Sequence, residues 1–160
     1  MLAGSVAIDL TAYRHEAEEF LVSLDREYYL HFSGQQDQYE IEPIYERHAG
    51  LFAREAVDGL REVRAAPALV EFAAHGHLGR ETKAESAELA RREAALELEW
   101  DGKRIPFRSA AVVQANEPDS DRRAELESAR NTLTESELNP LLRELLDRSR
   151  ALTNELGWPS

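Results

Sequence analysis

The 5 histidines and 31 acidic side chains of this 160-residue chain are its means of binding a metal or moving a proton, and their spacing limits the chemistry open to them. A zinc peptidase helix needs two histidines one turn apart with a glutamate beside the first, so that both imidazoles reach one ion and the carboxylate activates its water. The nearest approach, His15-Glu16-Ala17-Glu18-Glu19, has a glutamate where the second histidine belongs. A carboxylate-bridged di-iron bundle would place a glutamate three residues before a histidine. Those positions are Ala12, Tyr28, Tyr45, Phe72 and Ala74. His75 and His77 stand in a glycine-rich stretch without a third ligand, so a polar loop comes before a shared metal. His48 falls on an apolar face and reads as a packed, hydrogen-bonded core histidine rather than a catalyst. Carboxylate pairs such as Glu85 and Glu88 arise from composition alone and form a solvated helix face. No catalytic, cofactor-binding or metal-binding residue is therefore assigned. Tyr28, Tyr29, Tyr39 and Tyr45 cluster in sequence; core packing is their first reading, and a substrate groove lined by phenol hydroxyls is the alternative.

Composition narrows the partners. With 31 acidic against 19 basic residues the chain carries a formal charge of −12, which repels nucleic-acid backbones and anionic membranes and leaves a cationic partner or a neutral peptide open. The absence of cysteine removes disulfides and thiolate metal sites and fits a cytoplasmic protein. No window approaches the roughly 18 apolar residues of a membrane span, and MLAGSVAIDL at the start lacks a basic export signal. At 160 residues and 42% hydrophobic content, one domain covering residues 1–160 is expected.

Helical periodicity accounts for most of the elements that must position these residues. From Asp9 or Thr11 the apolar positions Tyr13, Ala17, Phe20, Leu21, Leu24, Tyr28 and Phe32 predict a long amphipathic helix ending near Ser33-Gly34, followed by a polar loop through Gln38. Ile41, Ile44, Tyr45, His48 and Phe52 mark a short second helix. Asp58-Gly59 is expected to interrupt a third segment carrying Val57, Leu60 and Val63. After Pro67, a brief apolar helix with Leu69, Val70, Phe72 and Ala73 is expected to stop at His75-Gly76-His77-Leu78-Gly79, where two glycines suit a helix end and a turn.

Thr82 to Leu96 is rich in Ala, Glu and Arg and predicts another helix. The period then changes to two: Leu96, Leu98 and Trp100 alternate with glutamates, and Ile105 and Phe107 alternate with Arg104 and Pro106. With Asp101-Gly102 as the turn, Leu96 faces Phe107, Leu98 faces Ile105 and Glu99 faces Arg104, which predicts a β-hairpin. The competing reading is a helix running on to Trp100 with a loop from Lys103 to Phe107. Ser109 to Ala115 supplies one buried turn or two of helix. Asp119 or Ser120 caps a helix through Leu126, Ala129 and Leu133. Asn139-Pro140 reads as a fresh cap for a last helix with Leu141, Leu142, Leu145, Leu146, Leu152 and Leu156, the strongest apolar stripe in the chain. The fold class is thus mainly α, an antiparallel multi-helix domain with one short β-hairpin near residues 96–107. The ending Gly157-Trp158-Pro159-Ser160 leaves an aromatic residue without company and suggests a cut chain.

The order of EYYLHFSG from Glu27, IYERHAGLF from Ile44, AELARREAALELEWDGKRIPF from Ala87, AAVVQANEPDSDRRAEL and NPLLRELLDRSRALTNELGWPS resembles the N-terminal region of M3-like zinc metallopeptidases, the oligoendopeptidase F and thimet oligopeptidase class. The similarity runs from about Asp25 to Ser160, and none of its blocks is a catalytic motif. The resemblance implies a helical domain forming one wall of a deep channel for a peptide substrate. Zinc, held by a His-Glu-x-x-His helix and a distal glutamate, is implied for a full-length enzyme. No family zinc ligand or catalytic residue carries over onto this chain, which is expected to hold no zinc and to cleave nothing by itself. A stand-alone helical interaction module that forms a homodimer is the alternative, and in a domain separated from a larger enzyme the leucine-rich last helix and Trp158 are expected to take part in self-association.

Overall fold

The computed structural model describes residues 8–36 and 40–158, so Tyr39 and the ending Pro159-Ser160 lie outside the described residues. The protein is mainly helical with one two-stranded antiparallel hairpin, as its periodicities predict. None of the described helices is long and apolar enough to cross a membrane. The chain falls into two compact units: residues up to Arg80 together with Glu155–Trp158, and Glu81–Asn154.

In the first unit, α1 (Leu10–Phe32) starts at Asp9, whose side chain accepts from the backbone N–H groups of Thr11 and Ala12 and so satisfies two donors that the first turn leaves open. It ends at Gly34, whose φ of +73° suits a residue without Cβ and lets the Gln35 N–H return to the carbonyl of Leu30. Glu27 then holds the following loop at both described ends, accepting from the Gln36 side chain at 2.6 Å and the Glu40 N–H at 2.8 Å.

Tyr13, Ala17 and Phe20 form the buried stripe of α1. They meet α2 (Glu42–Arg47), a 3-10 turn (Ala49–Phe52), α3 (Arg54–Glu62) and α4 (Pro67–Glu81) around a core of Leu51, Phe52, Val57, Leu60 and Ala73, which Leu156 joins. Phe20 packs edge-on against Tyr45, His48, Phe52 and Phe72 at centroid distances of 5.0–6.1 Å. Each large side chain buried here contributes about 1.5–3 kcal/mol, so this aromatic cluster dominates the stability of the unit. Residues after α8 are tied back to it: Arg54 donates to the Glu155 carbonyl at 2.9 Å, Arg61 donates to that of Leu156, and the Arg61 guanidinium lies 3.7 Å above the centroid of the Trp158 ring.

Two local expectations fail in this unit. Gly59 does not interrupt α3, which continues through it; instead its bare Cα lies beside the Ile8 side chain. Nor does α4 stop at His75–Gly79, since it runs on to Glu81. Gly76 is a point of close approach, where a Cβ would overlap the Phe52 ring. The tertiary contact, rather than a turn, uses that glycine.

The second unit contains α5 (Lys83–Ala95), β1 (Glu97–Trp100), β2 (Lys103–Pro106), α6 (Phe107–Asn116), α7 (Ser120–Leu133) and α8 (Asn139–Glu155). The hairpin has the expected register, with Leu98 opposite Ile105 and Glu99 opposite Arg104. Asp101 and Gly102 have φ of +54° and +71°, the two left-handed residues that match the twist of paired strands. Leu98 packs with Ala110 of α6 and Leu126 of α7, while Trp100, Ile105, Phe107, Val113 and Leu133 surround that centre. Ser109 to Ala115 is therefore helix.

Asn139-Pro140 does not start a new helix. Thr134–Leu138 forms a π turn joining α7 and α8, and the N–H of Asn139 reaches the carbonyl of Thr134. A proline inside an α-helix loses one bond and pushes its ring into the carbonyl four residues back, here that of Ser136. The wider π turn immediately before Pro140 shifts that carbonyl and lets the helix continue. The leucine stripe of α8 is only partly covered: Leu152 is buried, but Leu142 and Leu146 are exposed.

Candidate functional site

His75 and His77 lie on α4, two residues apart, and successive residues turn about 100° around a helix, so the two imidazoles diverge. The Nδ1 of His77 lies 3.1 Å from the Phe52 carbonyl, which gives this ring a structural place. A shared metal on this pair is not supported by the geometry. Among the described residues no three His, Asp or Glu side chains converge as a metal site would require.

His48 is buried at the end of α2, edge-on to Phe20 with centroids 5.8 Å apart. Its packing is as expected, but the hydrogen bond is missing at Nδ1, which stands 3.6 Å from Glu16 Oε1 and has no bonding partner. This ring borders an open groove of about 520 Å3 between α1 and the end of α2, lined also by His15, Glu18, Glu19, Val22 and Arg47. His15 and Glu19, one helical turn apart, approach to 3.3 Å on its rim.

The tyrosine cluster is corrected by the structure. Tyr28 and Tyr29 are exposed, Tyr45 is exposed on one side while its ring packs on Phe20 and Phe52, and among the described tyrosines the buried one is Tyr13. Its hydroxyl donates to the Leu51 carbonyl at 3.0 Å, and burial, with the neighbouring Glu16 charge, pushes its pKa up to about 12. Tyr28 stacks on Phe32 with ring planes 12° apart and centroids at 5.8 Å. With Leu21, Val22 and Tyr29 they form an exposed apolar face on the C-terminal half of α1.

In the second unit one arginine gathers the polar residues around the hairpin. Arg122 reaches Asp101 of the turn at 3.4 Å and Glu117 at 3.0 Å, and its guanidinium carbon stands 4.9 Å from the centroid of the Trp100 ring. Asp119 caps α7 by accepting from the N–H groups of Asp121 and Arg122, and Glu117 accepts from the Asp119 N–H. The backbone bond from Asp119 and the Arg122 side chain hold Glu117 below the usual carboxylate pKa; the two backbone bonds at the cap do the same for Asp119. The Arg104 side chain approaches Glu97 at 4.0 Å although its register partner is Glu99. Asp101 was legible as a turn former, whereas Arg122 as its partner was hidden among alternating charges. Glu88 meets Arg91 on the surface of α5, the solvated role expected of it.

Comparison of the chain with protein-family models, with characterised proteins and with solved structures finds no match.

Proposed function

We propose that this chain is the non-catalytic, helical N-terminal part of an M3-like zinc metallopeptidase and contributes one wall of its peptide-substrate channel. The observation that carries the reading is the joint in the second unit. Two of the resembling blocks, EWDG and NEPD-R, fold into a single clasp of Trp100, Asp101, Glu117, Asp119 and Arg122. Residue types that look arbitrary along the sequence thus have one architectural task, and a family scaffold would retain such a task. In this reading the zinc and the general base reside elsewhere in the full-length enzyme, in the cytoplasm, and the helices here shape the channel.

The deciding experiment is to read the coding sequence downstream of Ser160. A continuation into a His-Glu-x-x-His motif is expected. A stop codon there, with no partner reading frame carrying the motif, would sink the proposal. The 160-residue chain itself is expected to retain less than about a tenth of an equivalent of zinc after dialysis and to cleave no peptide, because no ligand set converges among its described residues. Stoichiometric zinc with chelator-sensitive hydrolysis would contradict this.

A second reading, a stand-alone interaction module, is favoured by Leu142 and Leu146, which are one helical turn apart and both exposed on α8. It predicts a concentration-dependent dimer in analytical ultracentrifugation that Leu142→Glu abolishes.

A further inference from the structure

Helix α1 is apolar on two opposite sides. Its inner stripe of Tyr13, Ala17 and Phe20 is buried, as an amphipathic helix requires. On the other side, where such a helix normally carries only polar residues, stand Val22 and Tyr29, 68% and 65% exposed, while Phe32, 73% exposed, lies on the flank between the two sides. Val22 and Tyr29 are seven residues apart and so share one line along the helix, with Phe32 beside it. Two acids, Glu18 and Asp25, have the same spacing and lie on that side too, while Arg14 and Arg26 stand toward its edges. The groove containing Glu18, Glu19 and Val22 opens from this face and reaches the buried His48, whose Nδ1 has no hydrogen-bond partner.

We propose that the outer face of α1 binds a peptide segment that combines apolar and basic side chains. Val22, Tyr29 and Phe32 would take the apolar groups, and Glu18 and Asp25 the cations. From Glu18 to Phe32 the helix rises about 21 Å, at about 1.5 Å per residue. That length accommodates about six residues of extended peptide. Stacked phenol and phenyl rings offer flat apolar contact at small entropic cost. A second copy of this chain is the poorer occupant, because two chains of net charge −12 repel one another, whereas the same field draws in a basic peptide. The inference rests on the peptide-channel reading above and says which surface and which peptide chemistry that channel would use.

The test uses the 160-residue chain and two fluorescein-labelled ten-residue peptides in which leucine and phenylalanine alternate with lysine in one and with glutamate in the other. Anisotropy is expected to show the lysine peptide binding at least about tenfold more tightly than the glutamate peptide, with an affinity that falls as salt is raised. Amide chemical shifts should move around Val22, Tyr29 and Phe32. The pair Tyr29→Ala and Phe32→Ala should weaken binding about tenfold with unchanged circular dichroism, since both side chains are exposed, while Val112→Ala on α6 leaves it unaltered. The pair Glu18→Lys and Asp25→Lys should remove the preference for lysine. Equal binding of both peptides, shifts on other helices, insensitivity to the α1 substitutions, or no saturable binding of the lysine peptide would each overturn the inference. The outcome is separable from the peptidase reading: a downstream zinc motif with no binding here leaves that reading standing and removes only this face, and binding without the motif does the reverse.

Discussion

Gly76 of α4 lies directly against the Phe52 ring, so that a methyl group on its Cα would overlap Cδ1 and Cε1 of a side chain that is itself buried. A ring enclosed on its other faces by Phe20 and Phe72 has little room to retreat. Gly76→Ala is expected to destabilise the protein by about 1–3 kcal/mol despite the better helix propensity of alanine. Gly79→Ala, three residues on in the same helix with open space around it, should instead stabilise by about 0.5–1 kcal/mol. Urea denaturation followed by circular dichroism compares the two; equal effects would mean that α4 does not pack on Phe52 as described.

Tyr13 makes stability sensitive to alkali. Its folded pKa of about 12 lies above the ordinary value of 10.0, so the native state holds the phenol proton more tightly than the unfolded chain does. The contribution is complete below pH 10 and disappears as pH rises from about 10 to about 12, amounting to about 2–3 kcal/mol. Tyr13→Phe should abolish this alkaline loss and, by leaving the Leu51 carbonyl without its donor, cost about 1–2 kcal/mol at neutral pH. Stability measured at intervals from pH 8 to pH 12 provides the check.

Glu117 and Asp119 act at the other end of the scale. Both have folded pKa values below their ordinary 4.5 and 3.8, so their contribution is present above those values and is lost as pH falls through the lowered ones. Asp119→Ala should lower the melting temperature at pH 7 and flatten the acid limb of the stability curve. Asp119→Asn, which still accepts from the backbone, should retain most of the neutral-pH stability while losing Asp119's share of the acid dependence and keeping that of Glu117. An acid limb unchanged in both variants would mean that Asp119 does not contribute to it.

Asn139 distinguishes a helix start from a helix interior. As an N-cap it would lose about 1 kcal/mol on replacement by alanine. Inside the continuous helix, with φ of −60° and ψ of −36°, it should gain up to about 0.5 kcal/mol instead. The sign of the change in thermal unfolding decides between the two.

The hairpin was legible residue by residue because its determinants are local. An Asp-Gly pair with two positive φ angles fixes the turn, and alternation of Leu96, Leu98 and Trp100 with glutamates fixes which side faces the core. The starts of α1 and α7 were legible to within two residues for the same reason, since a capping side chain acts within three residues of itself; the structure selects Asp9 over Thr11 and Asp119 over Ser120. Other residue types had two physical uses, and the choice lay outside their own segment. Gly76 and Gly79 resemble a helix end, yet Gly76 serves the Phe52 ring across the core. Asn139-Pro140 resembles a cap, yet a π turn lets the helix pass through. The same holds for the surface: periodicity put Tyr28 and Phe32 on the apolar stripe of α1, and core packing was the first reading of Tyr29, yet all three are exposed. Sequence alone determined where most elements begin and how the strands pair, because caps, turns and periodicities act over a few residues. Tertiary structure decided which glycines are contacts, which imidazoles diverge and which aromatics meet water, because each depends on how elements distant along the chain pack.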